Sequence, residues 1–134
     1  MSLYVDSSAL LKRYVDEPDS DTAEALLQSD SSLLTGRHTI VEVRRNLARL
    51  LGEGEATAAR SAFVEDLAVL SLVELDEVTC ETAAGIAELT GVRTLDALHL
   101  AAAQRVGAPA VPILTFDVRQ AQAARGLGLT VVGA

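Results

Sequence analysis

The chain has 134 residues, a length that suits one domain with a sizeable core and is too short for two. Hydrophobic residues make up 49% and charged residues 22%, which excludes a disordered chain; 22 alanines and 21 leucines predict an aliphatic core with close-packed helices. The 11 basic and 19 acidic residues give a net charge of −8, the opposite of a basic nucleic-acid surface, although divalent metals would reverse the local sign wherever carboxylates converge.

Leu3-Tyr4-Val5 reads as a short strand ending at Asp6, and Ser7 and Ser8 offer N-cap chemistry for a helix through Leu10, Leu11 and Tyr14. Asp16-Glu17-Pro18-Asp19 breaks the chain before a helix with Ala23, Leu26 and Leu27 on one face. Leu33-Leu34-Thr35 is a second strand, ended by Gly36. From Arg37, Ile40, Val43, Leu47, Leu50 and Leu51 form one helical stripe. Gly52 and Gly54 punctuate its end, and the next helix carries Ala59, Phe63 and Leu67. Val69 to Leu75 is expected as a third strand. Asp76 then caps a helix bearing Val78, Ile86 and Leu89, and Gly91 separates it from one with Leu95, Leu98, Ala102 and Val106 on its face. Pro112 to Phe116 is the fourth strand, ending at Asp117. A short helix closes with Gly126 as its C′ residue, and Leu129 to Val132 is the fifth strand.

Strands alternating with helices predict an α/β protein, residues 1–134 as a single domain, with a mostly parallel sheet covered on both faces. Ligands of such sheets bind at the carboxyl edge of the strands. Asp6 and Asp117 end strands one and four, Glu42 lies near the start of the helix after strand two, and Asp96 lies in the first turn of the helix before strand four. If they converge, they form a set of hard oxygen ligands suited to Mg²⁺ or Mn²⁺. Each also has a local reading. Asp6 and Asp117 can cap helices, Asp96 follows Thr94, itself an N-cap candidate, and Glu42 can pair with Arg45 in solvent.

The stretches Tyr4-Val-Asp-Ser-Ser-Ala-Leu-Leu-Lys-Arg-Tyr14, Glu42, Arg93-Thr-Leu-Asp-Ala-Leu-His-Leu-Ala101 and Leu114-Thr-Phe-Asp117 occur in the order of a known family. From Leu3 to Val132 the chain resembles PIN-domain ribonucleases, most closely the VapC-type toxins of bacterial toxin–antitoxin pairs. The resemblance implies a three-layer α/β/α sandwich with a central parallel five-stranded sheet. It also implies Asp6, Glu42, Asp96 and Asp117 as a catalytic and metal-binding quartet. Mg²⁺, with Mn²⁺ as the alternative, would be held chiefly by Asp6 and Asp96 for hydrolysis of an RNA phosphodiester. Glu42 and Asp117 would complete the shell, and Thr115 would support a carboxylate or the phosphate unless it is an ordinary strand threonine. A cognate antitoxin and a homodimer are the partners implied.

Outside the quartet, His99 is expected to pack or hydrogen-bond within the fold and His38 to lie on the surface. Cys80, the only cysteine, excludes an intrachain disulfide and reads as a small core residue. Arg93, Arg44, Arg45 and Arg49 can contact phosphates or simply be solvated. Helices over 8–28 and 37–67 are expected to form an apolar groove for an antitoxin segment. The amino-terminal segment lacks signal-peptide character and no run nears the roughly 18 apolar residues of a membrane span, so a cytoplasmic location is expected. Two rival classes compete. A receiver or Asp-x-Asp phosphatase fits poorly, because Ser8 stands where the second acid is needed and Lys12 is the only lysine. A non-catalytic binding module would be favoured by loss of a quartet acid, and all four are present.

Overall fold

The computed structural model describes residues 2–29, 32–107 and 110–134. The elements run β1 (Ser2–Val5), α1 (Ser7–Leu11), α2 (Ser20–Gln28), β2 (Ser32–Gly36), α3 (Thr39–Leu50), α4 (Glu53–Leu67), β3 (Ser71–Val73), α5 (Glu77–Thr90), α6 (Thr94–Arg105), β4 (Ile113–Thr115), α7 (Val118–Gly126) and β5 (Val131–Gly133). The five strands pair in the order β3-β2-β1-β4-β5, and every pairing is parallel.

Alternation along the strands divides the core in two. Leu3 and Val5 of β1 and Leu114 of β4 point to one face, under α1, α3 and α4 with Val43, Leu47 and Phe63. Tyr4 and Ile113 point to the other, under α5, α6 and α7 with Ile86, Leu100 and Ala124. This is the expected α/β/α sandwich. The alanines act where expected: Ala97, Ala101, Ala102 and Ala103 of α6 are buried, so backbones approach closely at that face. Among the described residues, no helix is long and apolar enough to cross a membrane.

Several local expectations are corrected. The third strand is only Ser71–Val73, because Val69 and Leu70 still donate to Asp66 O and finish α4. β5 starts at Val131 rather than Leu129, whose N–H closes the end of α7 on Ala124 O. Gly126 lies inside α7, and the left-handed residue is Gly128, at φ 84°. The inward face of α5 is Thr79, Ala83 and Ile86, leaving Val78 and Leu89 exposed, and Leu95 of α6 is likewise exposed. Small residues win these faces because they let α5 and α6 pack closely. Cys80 is exposed rather than in the core. Asp6, not Ser7 or Ser8, caps α1, and Thr94 lies inside α6, with Arg93 at the cap position.

The order β3-β2-β1-β4-β5 reverses direction between β1 and β4. Open parallel sheets leave a crevice at such a switch point, because the connections leave to opposite sides. Asp6 and Asp117 follow those two strands.

Candidate active site

Asp6 is 2% exposed and every described contact of its carboxylate is made by a neighbour fixed in the fold. Oδ1 accepts from Ala9 N–H at 2.9 Å and from Ser8 Oγ at 2.8 Å, while Oδ2 accepts from Thr115 Oγ at 2.5 Å. The first two bonds make the N-cap of α1; the third crosses from β4 and ties the ends of β1 and β4 together. Burial pushes the Asp6 carboxyl above the usual carboxylate range, against the lowering pull of His99 and these hydrogen bonds. Thr115, a strand residue, thus supports a carboxylate through its hydroxyl. Its Oγ also accepts from Asp117 N–H at 3.1 Å.

Asp117 caps α7, accepting from the N–H groups of Arg119 and Gln120 at 2.9 and 3.1 Å. The local reading of Asp117 as a helix cap therefore holds. The buried Gln120 side chain donates to Asp96 O at 3.3 Å, joining α7 to the first turn of α6. Asp96 and Asp117 line one cleft of about 710 Å³, with Arg93 and Arg119 at its walls. Arg119 had no sequence signal beyond its charge.

Glu42 is half-buried rather than solvated with Arg45. Its Oε1 lies 2.7 Å from His99 Nε2, and His99 Nδ1 lies 2.8 Å from Tyr4 Oη. Tyr4 Oη in turn accepts from Gly36 N–H at 2.9 Å. Burial alone would raise the Glu42 carboxyl, but the His99 hydrogen bond and charge, with Ser7 and His38 adding, carry it below the usual range. His99 therefore bonds within the fold as expected, and it does so to a quartet residue.

His38 is the clear correction. It is 9% exposed, not a surface residue, and its ring stacks against His99 with centroids 4.0 Å apart. Burial first, then the neighbouring His99, push its ring down to about 4, so it is neutral at pH 7. A clue lay in Gly36: a Cβ there would stand 2.5 Å from His38 Cε1, so only glycine admits the ring.

The four acids share one electrostatic field. Burial raises the Asp96 carboxyl first, Asp117 raises it next, and Asp6 and Glu42 add to the shift against the opposing pull of His99. Mutual repulsion of this kind is what a hard divalent ion relieves, and carboxylate oxygens are the donors such ions take. The fit with Mg²⁺ or Mn²⁺ is chemical rather than a tight cage. Among the described residues, the group whose ligand atoms all lie within 4.8 Å of one another is His38, Glu42 and His99, and the aspartates do not join it. The remaining arginines are peripheral: Arg44 and Arg45 are exposed, and Arg49 bonds Asn46.

Comparison with known proteins gives the family and the fold. The PIN domain family model matches residues 3–126. The chain belongs to the PIN-domain family. Within it, the chain is 37% identical over 131 residues to Ribonuclease VapC46 of Mycobacterium tuberculosis, covering 98% of this chain and 96% of that one. The fold is shared with solved structures of lower identity. FitAcB from Neisseria gonorrhoeae gives a TM-score of 0.73 at 18% identity, covering 99% of this chain and 97% of that one. Mycobacterium tuberculosis VapC20, described as a sarcin-ricin loop cleaving toxin, gives 0.71 at 20% identity over 90% and 94% of the two chains. In this PIN domain Asp6 and Asp117, two of the acids the resemblance singles out, follow the two strands that flank the switch point of the sheet.

Proposed function

We propose that this PIN domain is a metal-dependent endoribonuclease, the toxin of a toxin–antitoxin pair, with Asp6, Glu42, Asp96 and Asp117 as its catalytic and metal-holding residues. One observation carries the reading: four acids from four elements share a field at the carboxyl edge, in a chain 37% identical to a relative named as a ribonuclease. Asp6 and Asp96 hold the ion, Mg²⁺ or Mn²⁺. When bound, it supplies charge neutralisation at the phosphoryl oxygens and activation of water at neutral pH.

The chain's own residues do the rest. Ser8, Ala9 and Thr115 hold the Asp6 carboxylate in one orientation, so it needs no reorganisation on loading. His99 orients Glu42, and Asp117 is held by the cap of α7. Arg93 and Arg119 sit beside Asp96 and Asp117, where cations meet a phosphate backbone in a chain that is otherwise acidic.

The antitoxin partner is assigned to the apolar cleft between α3 and α4, about 710 Å³, lined by Ile40, Val41, Leu47 and Leu51 with Arg44 and Arg45 at its rim. Its support is the 70% exposure of Val41 and the toxin–antitoxin complexes among the proteins of this fold. The expected groove of helices 8–28 and 37–67 narrows to the α3–α4 pair. A homodimer and a cytoplasmic location complete the proposal.

The test is cleavage of total cellular RNA by the purified chain in Mg²⁺ or EDTA, beside Asp6→Asn. Discrete fragments in Mg²⁺ alone, absent with the variant, are expected, and their mapped ends identify the target. Fragments that persist with Asp6→Asn would overturn the assignment of Asp6.

A further inference from the structure

His38 presents an anomaly that the nuclease reading does not use. The ring is about nine-tenths buried, and beyond a contact with the Leu95 backbone neither nitrogen makes a well-formed hydrogen bond. Buried polar groups without partners are uncommon and call for a ligand, an ion or a water. The surroundings narrow the choice. Gly36 closes the Nδ1 side, because the ring rests where a Cβ would come within 2.6 Å of that nitrogen. Nε2 faces the opposite way, 3.6 Å from Glu42 Oε1. The same oxygen lies 2.7 Å from His99 Nε2.

We propose that His38 Nε2, Glu42 Oε1 and His99 Nε2 form a site for a borderline divalent transition ion of the Zn²⁺ class, which shares Glu42 with the hard-ion site and takes its other two ligands from outside it. The three ligand atoms lie within 4.8 Å of one another. Bonds of roughly 2.0–2.1 Å in tetrahedral geometry set ligand atoms about 3.3 Å apart, so from Glu42 Oε1 His38 closes by about 0.3 Å and His99 opens by about 0.6 Å. His38 and Glu42 are spaced i,i+4 on one side of the start of α3, a spacing that brings two side chains to one ion. His99 comes from α6 and is steadied from behind by Tyr4 Oη, the outer contact a ligating imidazole needs. With Nε2 on the ion, the His99 proton would stand on Nδ1 and be donated to Tyr4 Oη, whose own hydroxyl proton would turn to Thr35 Oγ. Two imidazole nitrogens with one carboxylate favour Zn²⁺ or Co²⁺ over Mg²⁺, which takes oxygen. The inference shares Glu42 with the nuclease reading but does not depend on RNA cleavage.

The chain has only two histidines, and both are in this cluster, so a long-range ¹H–¹⁵N spectrum holds two imidazoles. Zn²⁺ would be titrated into metal-free protein, both unaltered and as Asp96→Asn, which weakens the aspartate site. The expected result is that one equivalent of Zn²⁺ gives the Nε2 resonances of both rings in either protein the large shift of direct ligation, which Mg²⁺ does not produce at His38. His38→Gln should then weaken Zn²⁺ binding by about tenfold or more. Gly36→Ala keeps all three ligands but displaces the His38 ring, and should weaken Zn²⁺ binding as well. Unmoved Nε2 resonances, or equal Zn²⁺ affinity in folded His38→Gln, would overturn the site. Either failure leaves Mg²⁺-dependent RNA cleavage to be judged by its own assay.

Discussion

Asp6 and Asp76 perform the same local task with opposite consequences. Each stands at the N-cap of a helix in an extended conformation, φ −80° in both, and each accepts the N–H three residues on, Ala9 for Asp6 and Thr79 for Asp76. A nearby hydroxyl completes each cap, Ser8 for Asp6 and Thr79 for Asp76. The environments then separate them. The Asp76 side chain is 43% exposed, and the Thr79 N–H, Arg105 and the Thr79 hydroxyl hold its carboxyl down to about 2. Asp6 is buried at the sheet's switch point and pushed up, with other acids nearby. A cap serves either way. Only the buried one holds its carboxylate at an electrostatic cost beyond what capping requires, the kind of perturbation that singles out a candidate site.

This contrast can be broken most sharply by exchanging each acid for its amide. Asparagine caps a helix about as well as aspartate, so Asp6→Asn and Asp76→Asn should both stay folded by circular dichroism. Cleavage of RNA should be lost in the first and unchanged in the second; equal activity in the pair would remove the distinction. A smaller effect is expected one contact out. Thr115→Val keeps the strand shape but takes the hydroxyl from Asp6 Oδ2, and should cut activity by roughly 10–100-fold. It should also cost about 1–3 kcal/mol in denaturant unfolding, since a buried carboxylate oxygen loses its donor. Wild-type kinetics in this variant would mean the bond is structural alone.

The smallest effect concerns Asp76 and pH. Its carboxyl is depressed on folding, so its stabilisation is present above the ordinary carboxylate value of 3.8 and fades as pH falls towards about 2. Asp76→Ala should therefore lower Tm slightly at pH 7 and progressively less on acidification, with cleavage and Zn²⁺ binding untouched. A Tm gap that widened in acid would reverse the sign and refute the assignment.

How far the site could be read before folding depends on the kind of signal each residue carries. Asp6 and Asp117 are legible as candidates because acids at strand ends fall on the carboxyl edge once a parallel sheet is expected, whereas topology alone leaves Asp96 least secure and the family resemblance supplies the quartet. The Leu3–Tyr4–Val5 alternation likewise fixes which side chain enters which core. The faces of α5 and α6 were misjudged because bulk was taken as the mark of burial, whereas the close approach of two helices selects Ala83, Ala97 and Ala101 over Val78, Leu89 and Leu95. His38 was placed on the surface because a polar residue at a helix start has no periodicity to contradict that reading.

The amino-acid sequence by itself determined the layer order, the strand–helix alternation and the family, since hydrophobic periodicity, caps and ordered motifs are local properties. Tertiary structure alone decided the rest. It brought Thr115 to Asp6 across 109 residues and His99 to Glu42 across 57, and it set the His38 ring over Gly36. Burial and charge acting between elements distant in the chain have no local signature, and they turn capping acids into a site.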